Sequence, residues 1–113
     1  MLRLVALMPT LRTLTIRDAL VGDEFVAGLP QLNQQIGYLE LTHTRITDHA
    51  LSNLSRFTNL RELVLTGTSI SDEGVTRLAT LKNLKQLQLE DTRVTAEGIE
   101  KLKQALPGCS VSW

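Results

Sequence analysis

Two histidines are the first side chains that could do chemistry, because imidazole nitrogen is a common zinc ligand. His43 and His49 are the only histidines in the 113-residue sequence. A metal site needs further ligands that converge with them, and the sequence contains neither an HExxH pattern nor a cysteine near either histidine. We therefore expect both side chains to be exposed to solvent, and we predict no metal site.

Glu40 and Glu62 form a candidate carboxylate pair. If they lie on neighbouring strands and two residues apart along them, their separation is about 8 Å. Such a separation suits two carboxylates that flank a glycosidic bond. Catalysis would also need a pocket that raises the pKa of one carboxyl group, and a strand face of Thr and Gln offers little desolvation. We interpret both residues as solvated carboxylates and predict neither catalytic residues nor a cofactor.

Cys109 is the single cysteine, so an intrachain disulfide is impossible. It alternates with Val111 in a strand-like ending, and a free cysteine often behaves as a small core residue. We therefore predict a buried core thiol rather than a nucleophile. A lone thiol also fits a reducing compartment, and together with the absence of a signal-peptide pattern it predicts a cytoplasmic protein.

The composition restricts the classes of partner. Twelve basic and twelve acidic residues cancel, so the basic excess of a typical nucleic-acid-binding domain is missing. No stretch approaches the roughly 18 apolar residues that a membrane span requires. Hydrophobic residues make up 42% of the sequence and aromatic residues 4%, which predicts an aliphatic core. We expect neither a nucleic-acid partner nor a membrane.

The elements that would position these side chains come from an internal repeat. Leu39-Glu40-Leu41, Leu63-Val64-Leu65 and Leu87-Gln88-Leu89 follow each other at a step of 24 residues. A weaker copy, Leu14-Thr15-Ile16, lies 25 residues upstream of the first, and the extra residue falls within 33–35. At the end of the chain Val111 and Trp113 occupy the columns of Leu87 and Leu89, where we expect them to close the stack.

Each unit is predicted to be a strand, a turn and a helix. The Leu-x-Leu alternation points both leucines to one face of a strand, and the spacing of Leu51, Leu54 and Phe57 indicates a helical stripe. Two further columns occupy the turn. Thr47, Ser71 and Thr95 are predicted helix N-caps, whereas Thr44, Thr68 and Thr92 are expected to bond the backbone of neighbouring units. The acidic residues Asp48, Asp72, Glu73 and Glu97 fall in first turns, where negative charge suits the helix dipole.

The pattern L-x-x-L-x-L-x-x-T-x-I-[ST]-D-x-x-[LV], read from Leu60 to Val75, resembles the leucine-rich-repeat family. It is most similar to the cysteine-containing subtype, with Thr in the Cys column, and to bacterial leucine-rich-repeat proteins. The resemblance implies an α/β fold: a right-handed solenoid with a parallel sheet on its concave side and helices on its convex side. It also implies protein binding on the concave strand face.

The predicted organisation is a single leucine-rich-repeat domain over 1–113. It contains a partial helix at 1–10, repeats near 11–35, 36–59, 60–83 and 84–107, and a closing strand at 108–113. The predicted partner-binding residues are the outward-facing strand residues, which are Thr13, Thr15, Arg17, Tyr38, Glu40, Thr42, Glu62, Val64, Thr66, Gln86, Gln88 and Glu90. With Glu40, Glu62 and Glu90 against Arg17, this face is expected to prefer a basic or neutral protein surface.

Three functions stay open from the sequence, and the least favoured is an enzyme or regulatory domain that acts through the Glu40–Glu62 pair. The first is a non-catalytic protein-binding module or scaffold that uses this face. The second is a structural role, as the C-terminal end of a longer array or as a self-assembling scaffold. The open N-terminal end predicts self-association through Leu2, Leu4, Val5 and the strand of Leu14.

Overall fold

The computed structural model describes residues 11–29 and 35–113, and within them the chain alternates strand and helix. The strands are β1 (Thr13–Arg17), β2 (Tyr38–Thr42), β3 (Glu62–Val64), β4 (Gln86–Gln88) and β5 (Ser110–Ser112). The helices are α1 (Asp23–Ala27), α2 (Asp48–Leu54), α3 (Asp72–Val75) and α4 (Ala96–Ala105), and a 3₁₀ helix (Thr76–Thr80) follows α3. The helix predicted for 1–10 and the extra residue predicted near 33–35 lie outside the described residues, apart from Gln35.

The strands form one sheet in the order β1-β2-β3-β4-β5, and every neighbouring pair is parallel. Each strand therefore returns to the sheet after a helix, which gives the predicted α/β fold. The register pairs Leu39 with Leu63, Leu63 with Leu87, and Leu87 with Val111. Leu14 pairs with Leu39, so the 25-residue step also keeps the leucine columns aligned.

The core is an aliphatic stack between the sheet and the helices. Leu39, Leu63 and Leu87 are completely buried from the strand side, and Leu51 and Leu54 are completely buried from the helix side. One strand-helix unit has a single apolar face, and stacking buries that face against its neighbours. The burial of Leu63 confirms the predicted register of the leucine columns.

The threonine column in the turns is bonded differently from the prediction. The hydroxyls of Thr44, Thr68 and Thr92 donate to the carbonyls three residues earlier in their own units, at 2.9, 2.6 and 2.8 Å. The prediction that these hydroxyls bond the backbone of neighbouring units is therefore wrong. A threonine hydroxyl reaches its own backbone across a tight turn, and this local bond satisfies it without a partner from another unit.

At the turns, neighbouring units are joined instead by hydrogen bonds to an aspartate in the first turn of each of three helices. We call Asp23, Asp48 and Asp72 the aspartate ladder. Asp23 accepts from the backbone nitrogen of Thr47 at 2.8 Å and from its hydroxyl at 2.5 Å. Asp72 accepts in the same way from Thr95, at 2.7 and 2.5 Å. Asp48 bonds the backbone nitrogen of Ser71 at 2.8 Å and also its hydroxyl. Each aspartate thereby fixes the N-cap residue of the next helix.

The N-cap positions themselves agree with the prediction. Thr47, Ser71 and Thr95 precede α2, α3 and α4. The side chains of Thr47 and Thr95 also accept from the backbone nitrogens of His49 and Gly98, whereas Ser71 makes no such bond within its own helix. Two of the three caps therefore satisfy a free helix amide directly.

The two ends of the stack are unlike the middle. Val111 packs against the core, but Trp113 follows β5 and is 54% exposed, so the expectation that it closes the stack is wrong. At the other end Leu14 and Ile16 are partly buried rather than fully buried. Among the described residues, none of the helices combines the length and the hydropathy that a bilayer crossing requires.

Candidate functional site

The outward side of the sheet carries rows of polar side chains that run across the strands. The register places Thr13, Tyr38, Glu62 and Gln86 side by side, and it places Thr15, Glu40, Val64 and Gln88 in the next row. Because successive strand residues point to opposite faces, these rows lie opposite the leucine columns. We call this surface, made of the twelve predicted strand residues, the sheet face.

The twelve residues differ in how far solvent reaches them. Thr13, Thr15, Arg17 and Gln86 are exposed, and most of the others are intermediate. Glu40 is 5% exposed and Val64 is 6% exposed. The prediction that Glu40 is a solvated carboxylate is therefore wrong, and Val64 offers a partner very little surface.

Glu40 is buried because three neighbouring side chains cover and bond it. Arg17 donates from Nε to Oε2 at 2.7 Å and from Nη2 to Oε1 at 3.1 Å, which is a bidentate contact. Tyr38 donates its hydroxyl to Oε1 and Thr42 donates its hydroxyl to Oε2, each at 2.8 Å. These four residues form a bonded group, which we call the Glu40 cluster.

The Glu40 cluster holds the carboxylate in its charged form. The hydrogen bonds from Arg17 are the largest cause of a lowered pKa, and the bonds from Thr42 and Tyr38 lower it further. Burial acts the other way, and the net result is a pKa of about 2 for Glu40. A general acid needs a pKa raised toward neutrality. Glu40 therefore stays ionised near neutral pH and cannot protonate a leaving group there.

A second carboxylate on the sheet face is bonded near the other end of the sheet. Glu90 accepts from the Thr66 hydroxyl at 3.1 Å. Its pKa is lowered by a hydrogen bond from its own backbone, then by bonds from Ser112 and Thr66. Glu90 therefore also stays charged, and its charge is accessible because the residue is only partly buried.

The remaining candidates lie away from one another. His43 and His49 are both exposed as expected, and the Nδ1 of His43 contacts Oδ1 of Asp18 at 3.2 Å. No group of three or more metal-ligating side chains occurs within the described ranges. Cys109 is a buried free thiol as predicted, and its burial raises the pKa of the thiol.

Sequence reasoning missed the Glu40 cluster, although a signal for it was present. Arg17 and Glu40 are predicted on the same face, and the 25-residue step places Arg17 beside Thr42 on the neighbouring strand. A long arginine side chain can reach two residues diagonally across a strand pair. The alternation pattern identifies the face but does not show that neighbouring side chains cover Glu40.

Comparison with known proteins identifies similar repeats and similar solved structures. A family model described as "Leucine Rich repeat" matches residues 58–79 and 80–103. A solved leucine-rich-repeat protein of Leptospira interrogans aligns with 96% of the chain at a TM-score of 0.70 and 18% identity. An internalin of Listeria monocytogenes aligns with 96% of the chain at a TM-score of 0.60 and 20% identity.

The fold is a leucine-rich-repeat fold.

The two matched segments contain β3, α3, β4 and most of α4. The similarity to bacterial leucine-rich-repeat proteins agrees with the resemblance seen in the sequence. The aligned region covers 27% of the Leptospira chain and 36% of the internalin chain. No curated protein sequence matches this chain. At these identities the leucine-rich-repeat neighbours establish the fold and leave the partner open.

Proposed function

We propose that this chain is a non-catalytic protein-binding module that recognises its partner on the sheet face. In this proposal the sheet face lies on the concave side of a right-handed solenoid, the module acts in the cytoplasm, and it uses neither a cofactor nor a metal. Its partner is a protein rather than a nucleic acid or a membrane. Leucine-rich-repeat folds commonly mediate protein interaction, which supports this class of function.

The Glu40 cluster is the observation that carries the proposal. Its four bonds hold Arg17, Tyr38 and Thr42 in fixed positions on the outward side of β1 and β2. Side chains that are already ordered lose little conformational entropy when a partner docks, so more of the contact energy contributes to affinity. Tyr and Arg are also the residue types that most often dominate binding energy at interfaces.

The acidic charge of the sheet face is concentrated on two residues. Arg17 neutralises Glu40 within the cluster, so the acidity of the sheet face rests on Glu62 and Glu90. We propose that the partner surface is basic or neutral where it meets β3 and β4. Glu40 is a poor position for testing this charge, because its replacement would also release the cluster.

A charge reversal that spares the cluster tests the proposal. Glu62→Arg is expected to weaken capture of the native partner by about tenfold, because it replaces an anion with a cation that lacks complementarity to the partner surface. Glu100→Arg, which reverses an exposed charge on α4, is the matched control and should leave capture unchanged. Equal capture by both variants would contradict the use of the sheet face.

A structural role is the second candidate, as the C-terminal end of a longer array or as a self-assembling scaffold. Leu14 and Ile16 on β1 are partly exposed, and β1 is the first strand in the order of the described sheet. Leu2, Leu4 and Val5, which the sequence also assigned to this association, lie outside the described residues. The sheet face spans about 15–20 Å across the strands, so it offers less than the roughly 800 Å² per partner of a standard interface.

Light scattering over a dilution series tests this second candidate. If the chain self-associates through β1, its mean mass should rise with concentration. This rise should be smaller for Leu14→Gln, because a polar side chain weakens an apolar contact. A monomer at high micromolar concentration would exclude the self-assembling form.

A further inference from the structure

The charges of this neutral chain are separated between its two edges. One edge consists of the connections that lead from helix to strand, and it includes residues 55–61, 81–85 and 106–109, which contain no acidic residue. Six exposed cationic side chains lie there, and we call them the basic edge: Arg12, Arg56, Arg61, Lys82, Lys85 and Lys103. The opposite edge carries most of the acidic residues, at the turns and in the first turns of the helices.

Backbone hydrogen bonds show that the basic edge is continuous. The backbone nitrogen of Gly37 donates to the carbonyl of Arg12 at 2.8 Å, and that of Arg61 donates to the carbonyl of Gly37 at 2.8 Å. The nitrogen of Lys85 then donates to the carbonyl of Arg61 at 2.7 Å. Three cations therefore stand along one line that crosses four strands, about 14 Å long at the usual strand spacing.

The connections on the helix side adjoin one another in the same way. Asn83 donates from its side chain to the carbonyl of Thr58 at 2.9 Å. Lys82 donates from Nζ to the carbonyl of Ala105 at 3.3 Å, which brings it to the end of α4, next to Lys103. The cations of the basic edge therefore belong to one surface rather than to separate loops.

Intramolecular contacts account for only part of this set: Lys82 bonds the carbonyl of Ala105, and Arg12 bonds the carbonyl of the preceding Leu11. Lysine in the last turn of a helix suits the helix dipole, and this explains Lys103. Arg12, Arg61 and Lys85 precede strands, where no helix dipole acts on them. The ion pairs found among the described residues join Arg17 to Glu40, His43 to Asp18 and Lys101 to Glu97, and none includes a residue of the basic edge.

We propose that the basic edge binds an acidic polypeptide segment, a partner surface beyond the sheet face. An extended segment of about five residues spans the 14 Å line, with its carboxylates facing the row of cations. Solvated charges of this kind contribute chiefly to the rate and selectivity of encounter, so the affinity depends steeply on salt.

An acidic protein fits this edge better than a nucleic acid does. Single-stranded nucleic acids usually stack their bases on aromatic side chains. The one aromatic residue of the connections 55–61, 81–85 and 106–109 is Phe57, which is buried and cannot stack on a base. The acidic residues of the opposite edge would also repel a long polyanion, whereas a short acidic segment can stay on one edge.

The test measures fluorescence anisotropy of a labelled ten-residue glutamate-rich peptide with the whole chain at low ionic strength. The double variant Arg61→Glu, Lys85→Glu is compared with Arg45→Glu, Arg93→Glu, which makes the same change in net charge at exposed positions on the opposite edge. We expect at least about tenfold weaker binding for the first pair and little change for the second. Raising the salt concentration threefold should weaken binding to the wild-type chain.

Thermal unfolding identifies any variant that fails to fold, and Arg61→Gln, Lys85→Gln then replaces the reversed pair. A ten-residue deoxythymidine strand serves as the competing probe. The proposal is overturned if the peptide does not bind, if both pairs of variants weaken binding equally, or if the DNA strand binds more tightly than the peptide. Because none of these variants alters the sheet face, failure here is distinguishable from failure of the proposed function.

Discussion

At the scale of single residues, Glu40 shows how a carboxylate can be placed on an outward strand face and still be removed from solvent. Its side chain is 7% exposed, while that of its partner Arg17 is 63% exposed. All four bonds that it accepts come from β1 and β2. Glu40 therefore ties the first two strands together on the side opposite the leucine core.

The pKa of Glu40 predicts a specific dependence of stability on pH. Its folded pKa of about 2 lies below the ordinary 4.5, so the folded state favours the charged form. The resulting stabilisation is fully present above about pH 4.5 and is lost as the pH falls toward 2. Between pH 5 and pH 2 we expect the wild-type chain to lose about 2 kcal/mol more unfolding free energy than Glu40→Gln, allowing for the exposure of Arg17.

Urea unfolding at a series of pH values measures this difference, and Glu62→Gln is the control. Glu62 lies beside Tyr38, and its side chain makes no hydrogen bond or ion pair with any described residue, so its replacement should leave the pH profile close to that of the wild-type chain. Identical profiles for wild type and Glu40→Gln would show that the cluster does not stabilise the fold.

Side-chain bonding was the least predictable part of the candidate site. Alternation correctly placed Arg17, Tyr38 and Thr42 on one face, since the period of a strand is two residues. Whether a side chain on that face is covered depends on its diagonal neighbours, which are known only once the strand register is known. The burial of Glu40 and Val64 follows from such neighbours.

At the scale of elements, the aspartates in the first turns are contacts between repeats as well as dipole partners. The sequence supported only the dipole interpretation, because a negative charge in a first turn is favourable in any helix. The recurrence of Asp23, Asp48 and Asp72 was a further signal, since one residue type returned in one column. The dipole alone would accept glutamate equally well.

Two adjacent residues of α3 separate these roles. Asp72→Ala is expected to cost about 1–3 kcal/mol, because it leaves the backbone nitrogen and the hydroxyl of Thr95 without their acceptor. Glu73→Ala removes a charge from the same first turn but no bond between repeats, so its cost should stay within about 0.5 kcal/mol. Chemical denaturation compares the two, and equal losses would show that the ladder contributes only through the dipole.

The leucine columns were predictable for a physical reason. A 24-residue step that returns leucine to the same strand position leaves few other registers, because a shift of one residue would turn every leucine toward solvent. The ends were less predictable: Trp113 occupies a leucine column in the sequence pattern, yet its side chain is exposed. Repetition therefore predicts the middle of the stack better than its last strand.

At the scale of the whole molecule, each repeat is stable only through its neighbours. Leu63 lies between Leu39 and Leu87 in the sheet and is completely buried. Leu63→Ala should cost about 2–5 kcal/mol through lost transfer free energy and a cavity. Hydrogen exchange should then show weaker protection in β2 and β4 as well as in β3. A loss below about 1 kcal/mol, or one confined to β3, would contradict the stacked core.

Site-specific photo-crosslinking tests the central claim most directly. The chain is produced in its native cells with a photoreactive amino acid at one of two positions. Gln86 is an exposed residue of the sheet face, and Glu100 is an exposed residue of α4. If the sheet face binds the partner, irradiation yields a discrete crosslinked protein from position 86 and none from position 100. The same crosslinked protein from both positions, or from position 100 alone, would place binding elsewhere and contradict the account.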